Sequence, residues 1–527
     1  MLHSKSSSRL RLLAAATVGL AACSSSATPA PEVELTPVEA RINPAQASAT
    51  ITADDMMAHI SFLASDELGG RDTPSPGLEK AALYLQEAFL SAGLEPAGDE
   101  SSFLQRWTFE MTSLRSSEAE VEFGAGGASE VLVHAEDFFV LPSGEEVVRS
   151  PLVFLGSVDV LLGDSPPDAT GRIGVVTTPP SMGMEILIAA RAAADAGATG
   201  VVLALDPDLP NEVIGMVAGQ IEGSGLPLQP VPVVGVSRAA AERMVAGAGT
   251  TLDEISAMLE EGGGQTRSLP LDGVELTIRT PMDRETSTPP NVVALLPGSD
   301  PALAETFVVL SAHFDHLGIG QANADGDSIY NGADDDASGT SALLEVAQAF
   351  QAMPRSPRRS VVFLAVSGEE KGLLGSRHYA AQPTVPIEGI VANINLDMIG
   401  RNAPDTVIAI GQEFTSLGEL STKIASHHPE IGLTVAADPD PSEQAFFRSD
   451  HLVFVKKDIP AIFFTTWDHE DYHQPSDEAD TIDGNKASRV AQLAFLLTWH
   501  VAEDEAPPTW NEGALDEVHA ILENSPF

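Results

Sequence analysis

Histidines and carboxylates follow several apolar runs of this sequence, at the points where buried strands would end. Between Val308 and Gly400 there are four such signatures: Ala312-His313-Phe314-Asp315, the stretch from Gly332 to Gly339, Ser367-Gly368-Glu369-Glu370, and the stretch from Asn395 to Gly400. A fifth, Asp471-Tyr472-His473, lies further downstream. Imidazoles and carboxylates together are a ligand set that suits zinc. Each signature alone is more typical of a turn, a helix cap or a hydrogen-bonded histidine than of a metal ligand, so the indication of a zinc site comes from the set.

Alternating strands and helices must position these residues. Phe307 to Leu310 and Val361 to Val366 are continuous apolar runs, which are typical of strands covered by helices on both faces. Thr340 to Phe350, between them, has the spacing of a helix. We therefore predict an α/β fold with a mixed, mostly parallel sheet covered by helices. In such sheets ligands bind at the carboxyl ends of the strands, where the polar signatures stand.

Residues 119–283 differ in texture, with short Val, Leu and Ile runs separated by Gly, Pro and Asp. Ile173 to Val176, Gly200 to Leu205 and Val231 to Val236 are predicted strands, and Glu185 to Ala196 is a predicted helix. This order of elements resembles the protease-associated domain that is inserted in several peptidase families. Since no histidine clusters with carboxylates here, we expect an inserted β-rich protease-associated domain without metal ligands.

Taken in order, the five signatures resemble the motifs of the di-zinc aminopeptidase family. That family includes bacterial leucyl aminopeptidases and, with an inserted protease-associated domain, glutamate carboxypeptidase II and the transferrin receptor. The resemblance covers roughly residues 53–501 and implies two zinc ions (Zn²⁺) per chain. It implies these metal ligands: His313 and Asp397 for one zinc, Glu370 and His473 for the other, and Asp335 as the bridge. Asp334 is the alternative bridge.

The same resemblance implies roles for the neighbours of these ligands. Glu369 matches the general base of the family. Asp315 matches an acid that would hold the imidazole of His313 in its ligating tautomer, and Asp336 would have a similar supporting role. These expectations concern the orientation of ligands and the movement of a proton, not additional metal binding.

Three further features carry open alternatives. Tyr472 matches a tyrosine that helps to stabilise the oxyanion in some family members, and its other possible role is that of an aromatic core residue. Ser449-Asp450-His451 resembles a recurrent family motif near the active site, for which we expect no more than a supporting role. Arg71, in a predicted loop, is either a functional cation or, as we expect, one partner of a structural salt bridge.

The resemblance implies hydrolysis of peptides, with removal of N-terminal residues as the leading hypothesis. A carboxypeptidase of the glutamate carboxypeptidase kind is the alternative, because Arg401 and Arg448 stand near the signatures and arginines can hold a substrate carboxylate. A third hypothesis is a receptor-like binding protein without catalysis. The complete ligand set and the presence of Glu369 argue against that hypothesis.

The composition limits the partners. The chain has 28 Lys and Arg against 76 Asp and Glu, a formal net charge of −48. Such a charge repels nucleic acid and argues against an anionic membrane surface as partner. The only cysteine is Cys23, so there is no internal disulfide and no thiolate metal site.

The N-terminal residues have the pattern of a targeting sequence. Basic residues precede an apolar run from Leu12 to Ala22, which is too short to span a bilayer. Its end, Leu20-Ala21-Ala22-Cys23, resembles the lipobox of bacterial lipoproteins and implies a lipid anchor on Cys23 at the cell envelope, on the periplasmic or extracellular face. The alternative is a plain signal peptide with a chance cysteine. We expect no other membrane contact.

These patterns divide the chain into predicted segments. Residues 1–23 are a lipoprotein signal peptide, and 24–52, rich in Ser, Ala, Pro and Glu, are a flexible tether. Residues 53–118 and 284–503 form the peptidase domain around the insert. Residues 504–527 form a C-terminal tail, in which Leu515 to Leu522 have helical spacing.

Overall fold

The computed structural model of the protein describes residues 43–143, 147–162, 167–178, 185–206, 209, 214–215, 217, 229–261, 268–441 and 445–524. The predicted signal peptide, with Cys23, and the first part of the predicted tether lie outside the described residues. In the part of the chain that is described, no helix has the length and apolar character needed to cross a membrane.

The described chain has three successive segments of secondary structure. The first contains α1 (Pro44–Ser48), α2 (Ala53–Leu63), α3 (Pro76–Ser91), β1 (Glu95–Pro96), β2 (Leu104–Arg106) and β3 (Phe109–Leu114). The second contains β4 (Glu120–Ala125), β5 (Ala128–Leu132), β6 (Phe138–Leu141), β7 (Val147–Ser157), α4 (Val158–Leu161), β8 (Ile173–Thr177), α5 (Glu185–Asp195), β9 (Gly200–Ala204), β10 (Val233–Val236), α6 (Arg238–Ala246), α7 (Leu252–Glu261) and β11 (Leu269–Arg279).

The third segment begins with β12 (Met282–Ser287), β13 (Pro290–Leu296), β14 (Phe307–His313), β15 (Gly318–Ile319), β16 (Ile329–Tyr330), α8 (Gly339–Ala352), β17 (Ser360–Val366) and α9 (Leu374–Ala381). It continues with β18 (Ile390–Leu396), β19 (Thr406–Ile410), α10 (Ser416–His427), β20 (Thr434–Ala436), α11 (Leu452–Val455), β21 (Ala461–Thr465), α12 (Gly484–Glu503) and α13 (Ala514–Asn524).

The larger sheet gathers the polar signatures at one edge. Its strand order is β1-β13-β17-β14-β18-β21-β19-β20, with β2 also paired to β13. The four central strands, β17, β14, β18 and β21, are mutually parallel, while β13 and β19 pair antiparallel on either side. The predicted mixed, mostly parallel α/β sheet is confirmed. Because parallel strands end at the same edge, the residues that follow β14, β17, β18 and β21 lie close together.

Helices cover both faces of this sheet, as the continuous apolar strands predict. On one face α2, α3, α8 and α12 share a core with the sheet, and the rings of Phe350 and Phe495 lie 4.8 Å apart in an edge-to-face contact. On the other face α9 and α11 contribute Tyr379 and Phe454 to a second core. The strand ends are therefore supported by apolar cores on both faces of the sheet.

The second segment folds around a sheet of its own, in the order β5-β4-β11-β7-β8-β9-β10-β6. Strands β7 to β10 are parallel, and α4 and α5 pack on one face of the sheet while α6 and α7 pack on the other. The segment is thus rich in strands, and its mixed sheet is covered by helices on both faces. Strands β3 and β12, which precede and follow this segment in the chain, pair as a two-stranded antiparallel ribbon.

The predicted tether is wrong at its C-terminal end, because the chain is folded from Asn43. Asn43 and Gln46 form a capping box that starts α1, with the side chain of each accepting a hydrogen bond from the backbone N–H of the other. Ala47 and Ile51 are buried in the core of the larger sheet. This stretch of sequence lacks hydrophobic periodicity, so the single turn of helix was not predicted. The stability of such a short helix comes from tertiary contacts.

The helical spacing predicted at Leu515 to Leu522, in the C-terminal tail, is confirmed by α13, and the structure adds the contacts of this helix. Helix α13 places Val518 in a fully buried position beside Phe446 and Leu373. The indole N–H of Trp510 donates to the carbonyl of Asp458 at 2.8 Å. The residues after α12 are therefore packed onto the peptidase body as far as the structure describes them.

Replacement of Ile51 by alanine tests whether this N-terminal turn belongs to the core. Ile51→Ala should lower the free energy of unfolding by about 2–5 kcal/mol, because the side chain is only 1% exposed. Leu90→Ala is the matched control, since Leu90 is 62% exposed and its loss should change stability by less than about 0.5 kcal/mol. Chemical denaturation measures both. Equal stabilities of the two variants would contradict the structure of this segment.

Candidate metal centre

Asp335 is the central carboxylate of the site. It lies in the irregular turn Ala333–Ser338 that precedes α8. One of its oxygens, Oδ1, is 3.1 Å from His313 Nε2, and the other, Oδ2, is 3.2 Å from His473 Nε2. Asp334 points elsewhere, accepting a hydrogen bond from the backbone N–H of Gly400 at 2.6 Å. The structure thus places Asp335, and not Asp334, between the two histidines.

His313 and Asp397 form one side of the centre. His313 ends β14 and Asp397 follows β18, the neighbouring parallel strand, with 3.5 Å between His313 Nε2 and Asp397 Oδ1. His313 Nδ1 lies 3.2 Å from the backbone carbonyl of Asp315. Because a carbonyl can only accept, Nδ1 carries the proton and the lone pair of Nε2 faces the centre.

Glu370 and His473 form the other side. Glu370 comes from the loop after β17, and its Oε2 is 3.2 Å from His473 Nε2. His316 also belongs here, with Nδ1 2.6 Å from Glu370 Oε1 and 3.7 Å from Asp335 Oδ2. Sequence reasoning missed His316, although it directly follows the signature that ends at Asp315.

These donors fit a pair of zinc ions. Within the described chain the structure gives two groups of closely spaced donor atoms: His313 with Asp336 and Asp397, and His316 with Asp335 and Glu370. The five expected ligands all lie at this one place: His313, Asp335, Glu370, Asp397 and His473. Neutral imidazole nitrogens and carboxylate oxygens are the ligands of catalytic zinc. A carboxylate with one oxygen directed to each group can bridge two ions, which in such sites are about 3.5–4 Å apart.

The electrostatics of the centre favour ionised ligands. Burial opposes ionisation of Asp335, but His316, His313 and His473 hold its pKa well below the usual range. Burial and the charge of Asp335 oppose ionisation of Glu370, yet His316 and His473 lower its pKa to about 2. Both carboxylates are therefore anionic at neutral pH, as metal ligands must be.

Asp315 supports the site in a different way from the one expected. Its carboxylate lies 3.8 Å from His313 Nδ1, while its backbone carbonyl is the nearer acceptor. The carboxylate instead accepts hydrogen bonds from the backbone N–H of Glu369 at 3.2 Å and the hydroxyl of Thr73 at 3.1 Å. It therefore fixes the loop that carries Glu369 and Glu370.

Asp336 ties three segments together by accepting backbone hydrogen bonds. Its carboxylate receives the N–H groups of His313, Gly339 and Met398 at 3.2, 2.8 and 3.2 Å. These residues belong to the end of β14, the start of α8 and the loop after β18. Asp336 thereby holds three ligand-bearing segments in register.

Glu369 lies in the same cleft as the ligands. Burial, together with the neighbouring charges of Glu370 and Asp450, raises its pKa well above the usual range, against the opposing effect of His313. A carboxyl group with a raised pKa beside a metal centre is suited to accept and return a proton.

The loop between β21 and α12 delivers Tyr472 and His473. It is pinned by an ion pair of 2.5 Å between Arg401 and Asp471, and His469 Nε2 lies 3.3 Å from Asp334 Oδ2. The ring of Tyr472 stacks on that of His473 with centroids 3.9 Å apart. Tyr472 is therefore at the cleft and not in the core, and Arg401 is engaged in holding this loop.

The Ser449-Asp450-His451 stretch acts on the centre through its serine. The hydroxyl of Ser449 donates to Asp397 Oδ2 at 2.6 Å and accepts from the Asn395 side chain at 2.8 Å. This chain of hydrogen bonds orients the Asp397 carboxylate. It is the supporting role expected of the stretch, assigned to one residue of the three.

Part of the chain is similar in sequence to known peptidases. Residues 291–498 match the sequence profile of Peptidase family M28. The match covers less than half of the chain, and over it the chain is similar to that family. A probable zinc metalloprotease of Pyricularia oryzae is 29% identical over 264 residues, which are 41% of this chain and 50% of that protein. Aminopeptidase YwaD of Bacillus subtilis is 25% identical over 214 residues, 38% of this chain and 42% of that protein. The chain spans about half the length of the relatives it matches.

Two solved structures share their fold with most of this chain. An aminopeptidase from Aneurinibacillus sp. strain AM-1 superposes with a TM-score of 0.56 and 21% identity, covering 88% of this chain and 97% of that one. BSAP, a zinc aminopeptidase from Bacillus subtilis, superposes with a TM-score of 0.50 and 19% identity, covering 86% and 97%. At these identities the likeness establishes the fold alone.

Arg71 is a buried cation beneath the candidate metal centre, and the expected salt bridge is wrong. Its fully buried guanidinium forms no ion pair among the described residues and donates to four backbone carbonyls. The acceptors are Phe314 at 2.8 Å, Asn331 at 2.7 Å, Gly332 at 2.9 Å and Leu63. Burial lowers the pKa of Arg71 to about 10, against the charges of nearby aspartates, so it stays cationic. It joins the segments that carry His313 and Asp335.

Replacing Arg71 with methionine tests this role. Arg71→Met leaves buried carbonyls without donors and removes a charge that offsets the aspartates, so the free energy of unfolding should fall by about 3–5 kcal/mol. Arg149→Met is the control, because Arg149 pairs with Glu275 on the surface and its loss should leave stability close to wild type. Urea denaturation compares the two. Similar stabilities would show that Arg71 is not a structural support.

Proposed function

We propose that the protein is a di-zinc aminopeptidase that removes N-terminal residues from peptides. The observation that carries the proposal is Asp335, with one oxygen 3.1 Å from His313 and the other 3.2 Å from His473, beside Glu369 in one cleft. The names of the relatives, an aminopeptidase of Bacillus subtilis and an aminopeptidase of Aneurinibacillus, support the same reaction.

The residues of the cleft have complementary tasks in amide hydrolysis. Two zinc ions held by the five expected ligands would supply Lewis acidity, which can lower the pKa of a water towards about 7 and polarise a carbonyl. Glu369 takes a proton from the attacking water and returns it to the leaving amine. Burial raises the pKa of Tyr472, so its hydroxyl keeps its proton and can donate a hydrogen bond to the developing oxyanion.

The contacts of Arg401 and Arg448 favour recognition of the amino terminus of a peptide substrate over recognition of its carboxyl terminus. Arg401 bonds to Asp471 and to the hydroxyl of Thr481 at 2.8 Å, so its guanidinium is engaged by the protein. Arg448 lines the cleft, but Asp468 lies 3.7 Å from it and offsets its charge. A carboxypeptidase needs an arginine directed at the substrate carboxylate, and neither residue is arranged as an uncompensated cation.

The wall of the cleft suggests which terminal residues are removed. Met398, Ala445, Phe463 and Trp467 line it beside the ligands. An apolar wall gains free energy by covering an apolar side chain, at about 25 cal/mol for each Å² removed from water. We therefore propose that peptides with an apolar N-terminal residue are the preferred substrates.

A panel of peptides with blocked and free ends tests the proposal. Peptides with a free N-terminus, and the same peptides with an amidated C-terminus, should lose N-terminal residues, while N-acetylated peptides should remain intact. Mass spectrometry identifies the trimmed end. Trimming of acetylated peptides from the C-terminus would establish a carboxypeptidase instead, and absence of any hydrolysis by the zinc-loaded protein would leave only a binding function.

Variants assayed with the same peptides distinguish the residue that transfers the proton from the residues that bind zinc. Glu369→Gln should lower kcat by about 10²–10⁴-fold with little change in KM, because it removes the base and keeps the shape. Zinc content should stay near wild type. Asp335→Asn is the contrasting variant and should lose metal as well as rate. If Glu369→Gln loses zinc while Glu370→Gln keeps it, the two roles are reversed.

We also propose that the inserted segment is a protease-associated domain that governs access to the cleft. Its support is the strand and helix order that resembles such domains, and the position of all five expected ligands outside residues 119–283. Replacing it with a short linker should alter peptide preference and leave zinc content unchanged. A folded deletion variant that loses both metals would refute the proposal.

The location that we propose is the cell envelope, with a lipid anchor on Cys23. The support is the basic and apolar pattern that ends in Leu20-Ala21-Ala22-Cys23. Since Cys23 is the only cysteine, Cys23→Ala should abolish palmitate labelling and release the protein from membranes. Ser24→Ala is the control and should keep the label. Unchanged labelling of Cys23→Ala would exclude the anchor.

A further inference from the structure

His316 has no role in the ligand set that the family resemblance implies, yet it is fully buried against the centre. Its backbone N–H donates to the carbonyl of Arg71 at 3.3 Å, which fixes the start of the side chain. Its ring packs on Gly332, where an added Cβ would come within 2.5 Å of the ring carbon Cγ. Backbone and glycine together hold the imidazole in one place.

The ring nitrogens of His316 have no hydrogen-bond partner among the residues that the structure describes. Nδ1 lies 2.6 Å from Glu370 Oε1, but the angle of approach is not that of a hydrogen bond, and Glu370 Oε1 also lacks a partner. A buried polar group left without a partner costs about 1–3 kcal/mol. Two such atoms side by side, one nitrogen lone pair and one carboxylate oxygen, indicate that both serve a common cation.

We propose that His316 Nδ1 is a further protein ligand of the zinc held by Glu370, His473 and Asp335. This inference rests on the di-zinc function proposed above. The zinc on this side then has four protein ligands, whereas His313, Asp397 and Asp335 provide three for the other zinc. Four protein ligands are typical of closed, tightly held zinc sites, and three leave a position open for water or substrate.

The consequence is an unequal pair of metals. The ion beside His316 is held more tightly and loads first, while the ion beside His313 exchanges more readily and has the open coordination position. Removal of zinc by a chelator should therefore proceed in two separate steps.

Zinc titration of variants tests the assignment. His316→Ala should weaken the tighter zinc site by more than about 100-fold, because loss of a residue that only orients a ligand already costs about 10–100-fold. His451→Ala is the matched control, since His451 is equally buried but stacks on Phe463. It should keep both zinc ions at chelator concentrations that strip one from His316→Ala. Equal retention by the two variants would overturn the assignment.

A measurement on the wild-type chain does not depend on the folding of variants. Zinc K-edge X-ray absorption of protein loaded with one equivalent of zinc counts the imidazoles around the tighter ion. Two imidazoles, from His316 and His473, are expected, and a single imidazole would overturn the proposal. If the wild-type chain binds two zinc ions with one imidazole each, only the role of His316 fails; if it binds none, the di-zinc function fails as well.

Discussion

The burial of many carboxylates in one small region is the constraint on which the rest of the structure depends. Seven aspartates at or beside the strand ends are buried: Asp315, Asp334, Asp335, Asp336, Asp397, Asp450 and Asp477. Burial disfavours their charged forms, and their mutual repulsion adds to this effect. It raises the pKa of Asp315 and Asp477 to about 6 and that of Asp450 to about 7. Positively charged groups must therefore offset the charges of those carboxylates that are ionised.

The compensation comes from three sources that lie at different distances from the cleft. Arg71 and Lys486 are buried cations, and both donate to backbone carbonyls of segments that carry or flank the site. Imidazoles of His313, His316 and His473 face Asp335 directly. The two zinc ions that we propose supply the largest charge. On this account metal binding is part of the stability of the strand ends, since ligands that bind only the folded state stabilise it.

Several of the same aspartates also hold the site together by accepting hydrogen bonds from backbone N–H groups. Asp477 accepts the N–H groups of Asp334 and Asp335 at distances of 3.0 to 3.2 Å, and Asp336 links three segments in the same way. Charged acceptors form the stronger class of hydrogen bonds. The turn that presents the Asp335 carboxylate is thereby held in place by hydrogen bonds within the protein.

The sequence was informative where a residue's role depends on its place at a strand end. His313, Glu370 and Asp397 follow apolar runs, and parallel pairing of those runs is enough to bring them together. His316 and Arg71 could not be assigned in this way, because a histidine or arginine in a loop has the same sequence signature whether it binds a metal, a carboxylate or a carbonyl. The burial of Ile51 and of Val518, in its predicted helix, was missed because short helical segments gain their stability from contacts that are distant in sequence.

The most direct test of the central claim is anomalous diffraction at the zinc edge from crystals of the protein grown with zinc. Two peaks about 3.5–4 Å apart are predicted, one beside His313 and Asp397 and the other beside Glu370 and His473, with an oxygen of Asp335 directed at each. A single peak, or two peaks that do not share Asp335, would contradict the account.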